Sequence, residues 1–310
     1  HREMLDQVLN IFNIKPDIDL NLMKKDQNLS NLTSLILNEM QKVFTKYQPD
    51  IVLVHGDTTT TLATSIAAFY ASIPVGHIEA GLRTYDLKAP FPEEFNRQII
   101  GKITKWHFAP TDLSQKNLLS EGVSKSSIIV TGNTVIDTLY WILNRIDKDE
   151  DHKKDIKNIL NTHLSFNWQN ENFVLVTAHR RENFGDGFFK ICSAIKKLAL
   201  KYPKIYFVYP VHLNPNVSKP VNEILKGFDN IYLIKPLEYE PFVYLLKHSY
   251  LVLTDSGGIQ EEAPSVGKPV LVMRESTERP EAVDAGTVEI VGSNQQRIIE
   301  GVSRLLNDKK

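Results

Sequence analysis

Short apolar segments alternate with helix-length amphipathic segments along most of this chain. Short runs rich in Val, Ile, Leu, Phe and Tyr are typical of strands that are buried on both faces of a parallel sheet. Between these runs, apolar residues recur with the spacing of one helix face, as they do over residues 32–44. The predicted strands are residues 51–54, 75–78, 106–109, 128–130, 173–176, 206–209, 231–234, 251–253, 270–273 and 288–291. The alternation predicts an α/β fold with two Rossmann-like domains, each built on a parallel sheet.

The alternation is interrupted once, in the segment 147–170, which is charged and only weakly periodic. A chain of 310 residues is also about twice the size of a typical single domain. We therefore predict a linker here, a first domain over residues 1–165, and a second domain over residues 166–310. Ligands of such folds bind beyond the carboxyl ends of the strands, so we expect a ligand cleft between the two domains.

The chain begins inside an amphipathic helical pattern, HREMLDQVL, with no predicted strand before it. A doubly wound domain normally begins with a strand. We therefore expect the intact first domain to contain a further strand, helix and strand upstream. Without them, two apolar sheet edges would be exposed, and stability and activity should be lower.

Charge and cysteine content argue against several classes of function. The formal net charge of −1 gives no basic surface for nucleic acid and no attraction to an acidic membrane. The apolar segments are far shorter than the roughly 20 residues that span a bilayer. A single cysteine, Cys192, allows no intrachain disulfide and favours the reducing cytoplasm. Because no His, Cys or acidic cluster has metal-ligand spacing, we predict no metal site.

Two acidic motifs follow predicted strands of the first domain. Asp57 lies in His55-Gly56-Asp57, just after one strand, and Glu79 lies in HIEAGLR, just after the next. Carboxylates at these positions can face a cleft and transfer protons. Each also has a structural alternative: Asp57 could cap the next helix, and Glu79 could simply form an ion pair with Arg83, although we favour a functional role for Glu79.

Two further motifs add acidic and basic side chains. Glu93, in PEEFNR, lies at a predicted helix start, where a carboxylate is also favoured by the helix dipole alone. His179 and Arg180, in AHRREN, follow the first strand of the second domain. A histidine beside arginines can bind a phosphate or a carboxylate, although a solvated charge run is the alternative.

The glycine turn Ser256-Gly257-Gly258 is the strongest single signal, because it follows a strand and opens a helix. Glycines let backbone N–H groups approach a diphosphate, and Ser256 adds a donor. Glu262, one turn into that helix, is placed to accept hydrogen bonds from ribose hydroxyls, as acidic residues do in dinucleotide folds. His212 leaves a neighbouring strand and could add a phosphate or base contact.

Taken together, the motifs resemble those of the non-hydrolysing UDP-N-acetylglucosamine 2-epimerases of bacteria and archaea. The motifs are HGDTTTT, HIEAGLR, PEEFNR, TGNTVID, AHRREN, YPVHLNPNV, LTDSGGIQEEAPSVGKPVLVMR and TERPEA. The resemblance runs from residue 1 to about residue 306 and is weakest over 147–170. It implies the fold of class B glycosyltransferases, with UDP held mainly by the second domain. It also implies a G-T-R-P-E turn upstream and a final helix that returns to the first domain, neither of which is in this sequence.

The resemblance also implies functional positions. The residues that match positions important for catalysis are Asp57, Glu79, Glu93 and His179. The residues that match positions holding UDP are His212, Ser256, Gly257, Gly258 and Glu262, with Phe242 near the uracil. We predict UDP-N-acetylglucosamine and UDP as the small-molecule partners, a homodimer, and a role in supplying N-acetylmannosamine-type sugars for cell-surface polysaccharide.

The expected reaction inverts carbon 2 by elimination and re-addition of UDP. The hydrogen on carbon 2 is not acidic, because the neighbouring anomeric carbon is an acetal. Inversion therefore needs either loss of UDP or transient oxidation by nicotinamide. No G-x-G-x-x-G turn follows any strand present, so we predict elimination without a cofactor. A hydrolysing epimerase, a UDP-sugar glycosyltransferase and a non-catalytic UDP-binding protein are the alternatives.

Overall fold

The structure, a computed structural model, describes residues 2–24 and 27–308. Its strands are β1 Val52–His55, β2 Val75–Ile78, β3 Trp106–Ala109, β4 Ile128–Val130, β5 Phe173–Thr177, β6 Tyr206–Pro210, β7 Ile231–Ile234, β8 Leu251–Thr254, β9 Val270–Val272 and β10 Val288–Ile290. Its α-helices are α1 Arg2–Ile11, α2 Leu29–Tyr47, α3 Thr59–Tyr70, α4 Glu93–Ile103, α5 Asp112–Ser120, α6 Thr134–Lys148, α7 Glu150–His163, α8 Asp186–Lys201, α9 Pro215–Leu225, α10 Tyr239–His248, α11 Ile259–Ser265, α12 Pro280–Asp284 and α13 Gln295–Asn307. Short 3₁₀ helices lie at Lys125–Ser127 and Arg181–Asn183.

The predicted α/β fold with two parallel sheets is confirmed. Each predicted strand is present, with its ends shifted by no more than one residue. The prediction succeeded because these strands are buried runs of apolar residues. All five residues of β5 and all four of β8 are buried, for example.

The chain divides into two compact units, His1–Asn133 and Thr134–Lys310. The first unit has a four-stranded parallel sheet in the order β1-β2-β3-β4. One hydrophobic core of this unit joins helices α2, α3 and α4 to strands β1 and β2. Its buried residues are Phe44, Val54, Leu62, Ala67, Ala68, Val75 and Ile100. Helices link successive strands, as parallel pairing requires.

The second unit has a six-stranded parallel sheet in the order β10-β9-β8-β5-β6-β7. The strand order reverses between β5 and β8, because the chain adds β6 and β7 on one side of β5 and places β8 on the other. Ligands of open α/β sheets bind at the carboxyl ends of the strands where such a reversal occurs. Cys192 is buried in the core of this unit, and burial raises its pKa to about 12, so its thiol is unreactive.

The division between the units differs from the predicted boundary at residue 165. The segment 147–170, which we predicted to be a linker, contains the end of α6 and all of α7. It is weakly periodic because α7 buries only Ile156 and Leu160. Helices α6 and α7 pack on α10, and α6 also packs on α11, so the contacts assign both to the second unit.

In the described ranges, each helix is too short or too polar to cross a lipid bilayer. Among the same residues, no three His, Cys, Asp or Glu side chains are grouped in a way that could hold a metal ion.

Candidate functional site

The carboxyl ends of β1 and β2 bring the first two acidic motifs together. His55 and Ile78 are register partners, and the N–H of Gly56 donates to the carbonyl of Ile78 at 3.0 Å. The residues that follow, Asp57 after β1 and Glu79 after β2, therefore leave the sheet at the same level. A Cβ added to Gly56 would lie 3.4 Å from Glu79 Oε2, so the Glu79 carboxylate lies directly against this turn.

Glu79 has an unusual backbone conformation for a residue with a side chain. Its φ is +65°, in the left-handed region, which costs roughly 1–3 kcal/mol for a residue other than glycine. Its carboxylate accepts a hydrogen bond from Asn133 Nδ2 at 3.2 Å, and His55 Nε2 lies 3.7 Å from Oε2. Arg83 is not its partner, because that guanidinium forms two bonds, of 2.7 and 2.9 Å, to Glu121. Strain of this kind is characteristic of functional positions.

Asp57 is held by α4 and does not cap a helix. The N-cap of α3 is Thr58, whose hydroxyl accepts from the N–H of Thr61. The Asp57 carboxylate instead accepts from Arg97 Nη2 at 2.8 Å, and its carbonyl accepts from Asn96 Nδ2 at 2.7 Å. The ion pair favours the charged form of Asp57, which is the form that can accept a proton.

Helix α4 carries two glutamates with different surroundings. Glu94 is fully buried and accepts hydrogen bonds from the N–H groups of Thr84 and Tyr85, so its part is structural. Glu93 is half-buried and lies four residues before Arg97, which places both on one face of the helix. Because Arg97 bonds Asp57, Glu93 lies on the same helix face as this contact.

A buried histidine supports the turn before Asp57. His77, on β2, donates from Nε2 to the carbonyl of Gly56 at 2.7 Å. Because a carbonyl only accepts, Nε2 carries the proton and Nδ1 does not. Burial, more than any neighbouring charge, lowers the pKa of His77 to about 4, so the ring stays neutral. Sequence reasoning gave His77 no part in the site.

We expect the variant Arg97→Met to lower the free energy of unfolding by about 3 kcal/mol. The change removes the cation that pairs with the carboxylate of Asp57 and with that of Glu94, whose Oε2 lies 3.4 Å from Arg97 Nη1. Urea unfolding measures the loss. Arg304→Met is the matched control, because Arg304 pairs with Glu289 on the surface and should cost less than about 1 kcal/mol. Equal losses in the two variants would contradict the argument.

In the second unit, the ends of β5 and β8 meet at the reversal of strand order. Thr177 and Thr254 are register partners and share a hydroxyl hydrogen bond of 2.6 Å. Asp255, just beyond β8, is fully buried. Its carboxylate accepts from the N–H groups of His179 at 3.0 Å and of Arg180 at 2.9 Å, and from Asn183 Nδ2 at 3.1 Å. Asp255 therefore fastens the AHRREN loop to the glycine turn, a role that sequence reasoning missed.

His179 and His212 lie side by side beyond β5 and β6. Their rings are nearly parallel, with centroids 5.6 Å apart. His212 Nδ1 accepts from the N–H of Asn214 at 3.1 Å, which leaves Nε2 as the protonated nitrogen. Burial lowers the pKa of His179, while Asp255, 3.7 Å from its Nδ1, opposes this shift in part. Each ring can present an N–H to an anion.

The turn Ser256-Gly257-Gly258 precedes α11 and leaves backbone donors open. The N–H of Ser256 donates to Thr254 Oγ1 at 2.9 Å, but in the described part of the chain the N–H groups of Gly257 and Gly258 have no acceptor. Gly257 is also tightly enclosed, since a Cβ there would lie 2.8 Å from Glu278 Oε1 and 2.9 Å from Arg279 Nη1. Two open N–H groups in a narrow turn are suited to bind an anion.

A cluster of ion pairs next to this turn fixes the side chains that enclose Gly257. Arg274 is almost fully buried and bonds Glu182 at 2.9 Å and Glu278 at 3.0 Å. Arg279 in turn bonds Glu278 and Glu261. Arg180, by contrast, is half-buried, and its Nε has no hydrogen-bond partner among the described residues. Arg180 therefore has bonding capacity left for a ligand.

Glu262 lies beside the turn, and Phe242 lies on the helix that contacts Glu262. Glu262 accepts a hydrogen bond from Tyr239 of helix α10 at 2.7 Å. Phe242 lies three residues after Tyr239, hence on the same face of that helix, and is half-buried. The structure therefore places Glu262 beside the glycine turn, and it separately groups His179, His212 and Arg180 near Asp255 in the same unit.

Known proteins resemble this chain over nearly its whole length. Residues 1–310 match the family model described as UDP-N-acetylglucosamine 2-epimerase. The UDP-N-acetylglucosamine 2-epimerase of Yersinia pestis is 58% identical over 309 residues, which are 100% of this chain and 81% of that protein. The crystal structure of the UDP-GlcNAc 2-epimerase from Neisseria meningitidis bound to UDP-GlcNAc matches with a TM-score of 0.94 and 55% identity, over 99% of this chain and 81% of the other. The co-structure of S. aureus MnaA with UDP matches with a TM-score of 0.90 and 47% identity, over 100% of this chain and 79% of the other.

Proposed function

This chain belongs to the UDP-N-acetylglucosamine 2-epimerase family, and we propose on that basis that it interconverts UDP-N-acetylglucosamine and UDP-N-acetylmannosamine without hydrolysis. The observation that carries the proposal is the 55% identity, over nearly the whole chain, to an epimerase crystallised with UDP-GlcNAc. This similarity favours epimerisation over sugar transfer, hydrolysis or simple UDP binding. The polar groups at the strand ends supply the side chains that the reaction needs.

The chemistry follows from the position of the hydrogen that must move. A base takes the proton from carbon 2, the electron pair of that C–H bond forms the double bond to carbon 1, and the bond from carbon 1 to the phosphate oxygen breaks. UDP leaves with the bonding pair. UDP then adds back to carbon 1, and a proton is delivered to carbon 2 on the opposite face. Atoms and electrons balance without an oxidant.

We assign proton transfer to carboxylates of the first unit. Asp57, kept charged by Arg97, is suited to accept a proton, and Glu79 and Glu93 provide further acid or base groups. Two faces of the sugar need two groups of different acidity.

We assign UDP recognition to the second unit. The open N–H groups of Gly257 and Gly258, with Ser256, are suited to the diphosphate. The half-buried Arg180 and the rings of His179 and His212 can stabilise it as it leaves. Glu262 is suited to the ribose and Phe242 to the uracil. The homodimer, the cytoplasmic location and the supply of sugars for cell-surface polysaccharide stay predictions.

Isotope exchange tests the proposal. In heavy water, with UDP-N-acetylglucosamine labelled with ¹⁸O in the bridge between carbon 1 and the phosphate, and without added nicotinamide, we expect NMR signals of the carbon-2 epimer. Deuterium should enter carbon 2, because the base exchanges its proton with solvent. The label should also move to non-bridging oxygens of the same phosphate, because elimination makes these oxygens equivalent.

Each alternative function predicts a different result in the same experiment. Free N-acetylmannosamine would indicate a hydrolysing enzyme, and transfer of the sugar to an added acceptor would indicate a glycosyltransferase. Epimerisation with deuterium at carbon 2 but without movement of the label would contradict elimination and favour transient oxidation. Binding of UDP-N-acetylglucosamine without turnover would leave only a binding function.

A further inference from the structure

Tyr239 is the one polar contact that the structure gives to the carboxylate of Glu262 within its described residues. The phenol oxygen lies 2.7 Å from Glu262 Oε1, and only 6% of Glu262 is exposed. A phenol donates readily to a carboxylate, and a bond with one charged partner is short and strong. The contact joins the first residue of α10 to the first turn of α11.

The protonation states fix which group donates. Burial, and then the charge of Glu262, raise the pKa of Tyr239, so its hydroxyl keeps its proton. Burial raises the pKa of Glu262, while the hydrogen bond from Tyr239 opposes that shift. The bond therefore helps to keep a buried carboxylate in its charged, hydrogen-bond-accepting form.

The second oxygen of Glu262 is the one that faces the glycine turn. A Cβ added to Gly258 would lie 4.0 Å from Glu262 Oε2. With Oε1 engaged by Tyr239, the carboxylate cannot turn without breaking that bond, so Oε2 keeps its direction. An acceptor fixed in this way beside a diphosphate turn is placed for a sugar hydroxyl next to the diphosphate.

We propose that Tyr239 is a positioning residue for nucleotide selection: its hydroxyl holds Glu262 so that Oε2 accepts a hydrogen bond from the ribose, which favours ribonucleoside over 2′-deoxyribonucleoside diphosphates. The proposal rests on the proposed function, which assigns the ribose to Glu262. It adds a second residue and a specificity that the motifs do not contain. In this proposal Tyr239 acts through Glu262 and not through a contact of its own with the nucleotide.

Calorimetry of the full chain with UDP and with 2′-deoxy-UDP tests the proposal. We expect Tyr239→Phe to weaken UDP binding about tenfold, because a charge-assisted hydrogen bond that orients the acceptor is lost. Binding of 2′-deoxy-UDP should change less than about twofold, since no 2′-hydroxyl depends on Oε2. The preference for UDP should therefore shrink about fivefold or more.

Tyr244→Phe is the matched control. Tyr244 lies on the same helix, is almost fully buried, and packs its ring against Trp168 and His248, away from Glu262. Removing its hydroxyl should leave the UDP preference unchanged. Glu262→Ala is the second comparison and should remove most of the preference.

The outcomes separate failure of this inference from failure of the proposed site. If Glu262→Ala removes the preference and Tyr239→Phe does not, Tyr239 has no positioning role and the ribose assignment stands. If Tyr239→Phe weakens both nucleotides equally, its role is only structural and the inference is overturned. If neither variant changes the preference, Glu262 does not bind the ribose, and that part of the proposed function fails as well.

Discussion

Replacing Glu79 with glutamine should lower kcat for epimerisation by a factor of about 10² to 10⁴ and leave the affinity for UDP unchanged. Glutamine keeps the size of the side chain and its contacts with Asn133 and His55, but it cannot take or give a proton at neutral pH. UDP recognition is assigned to the second unit and should not depend on this carboxylate. NMR assay of turnover and calorimetry with UDP measure the two quantities separately.

Glu39→Gln controls for loss of a carboxylate as such. Glu39 pairs with Lys42 on the surface of α2 and should change neither kcat nor UDP affinity. A Glu79→Gln variant with full turnover would remove Glu79 from the catalytic set. Equal loss of turnover and of UDP affinity would instead indicate damage to the fold. Thermal unfolding of the variant checks this, because the backbone of Glu79 is strained.

The parts of the fold that the sequence predicts well are those with a local signal. The strands β5 and β8 are uninterrupted apolar runs, and parallel sheets bury such runs on both faces. Helix α7 shows the opposite case. Most of its residues are polar or charged, and only Ile156 and Leu160 are buried, so its sequence has too little apolar periodicity to predict a packed helix. Its assignment to the second unit depends on packing against α10, which no local pattern contains.

The candidate site divides in the same way. Residues just beyond strands, such as Asp57, Glu79 and Gly257, can be proposed from the sequence because parallel strands bring their carboxyl ends to one edge of their sheet. Their partners were not found. Arg97 lies 40 residues from Asp57, and Tyr239 lies 23 residues before Glu262. Such pairs are fixed by tertiary packing, so a single sequence holds no periodicity that could reveal them.

One partner could have been inferred. Asp255 follows a fully buried strand and is itself an acid in a buried segment, which requires several hydrogen-bond donors nearby. The donors prove to be the backbone of His179 and Arg180 and the side chain of Asn183. By contrast, the alternative that paired Arg83 with Glu79 does not hold, because Arg83 pairs with Glu121, which closeness along the chain did not indicate.

We expect Gly257→Asp to abolish measurable UDP binding. The new side chain would enter a space where a Cβ already lies 2.8 Å from Glu278 Oε1, and it would set a negative charge where the diphosphate is proposed to bind. Two like charges about 4 Å apart at a protein surface repel by about 4 kcal/mol, which corresponds to a loss of affinity of roughly a thousandfold. Calorimetry with UDP measures the effect, and urea unfolding reports whether the variant still folds.

Two further variants separate charge from crowding. Gly257→Ala adds the Cβ without a charge. It should weaken UDP less than aspartate does, since only the ends of the Glu278 and Arg279 side chains must shift. Gly187→Asp places the same new charge near the start of α8, where a Cβ has ordinary contacts of 3.5 Å or more, and should leave UDP affinity within about twofold. If folded Gly257→Asp protein bound UDP as tightly as the unchanged chain, the diphosphate would have to bind elsewhere. The open N–H groups of Gly257 and Gly258 would then need another ligand.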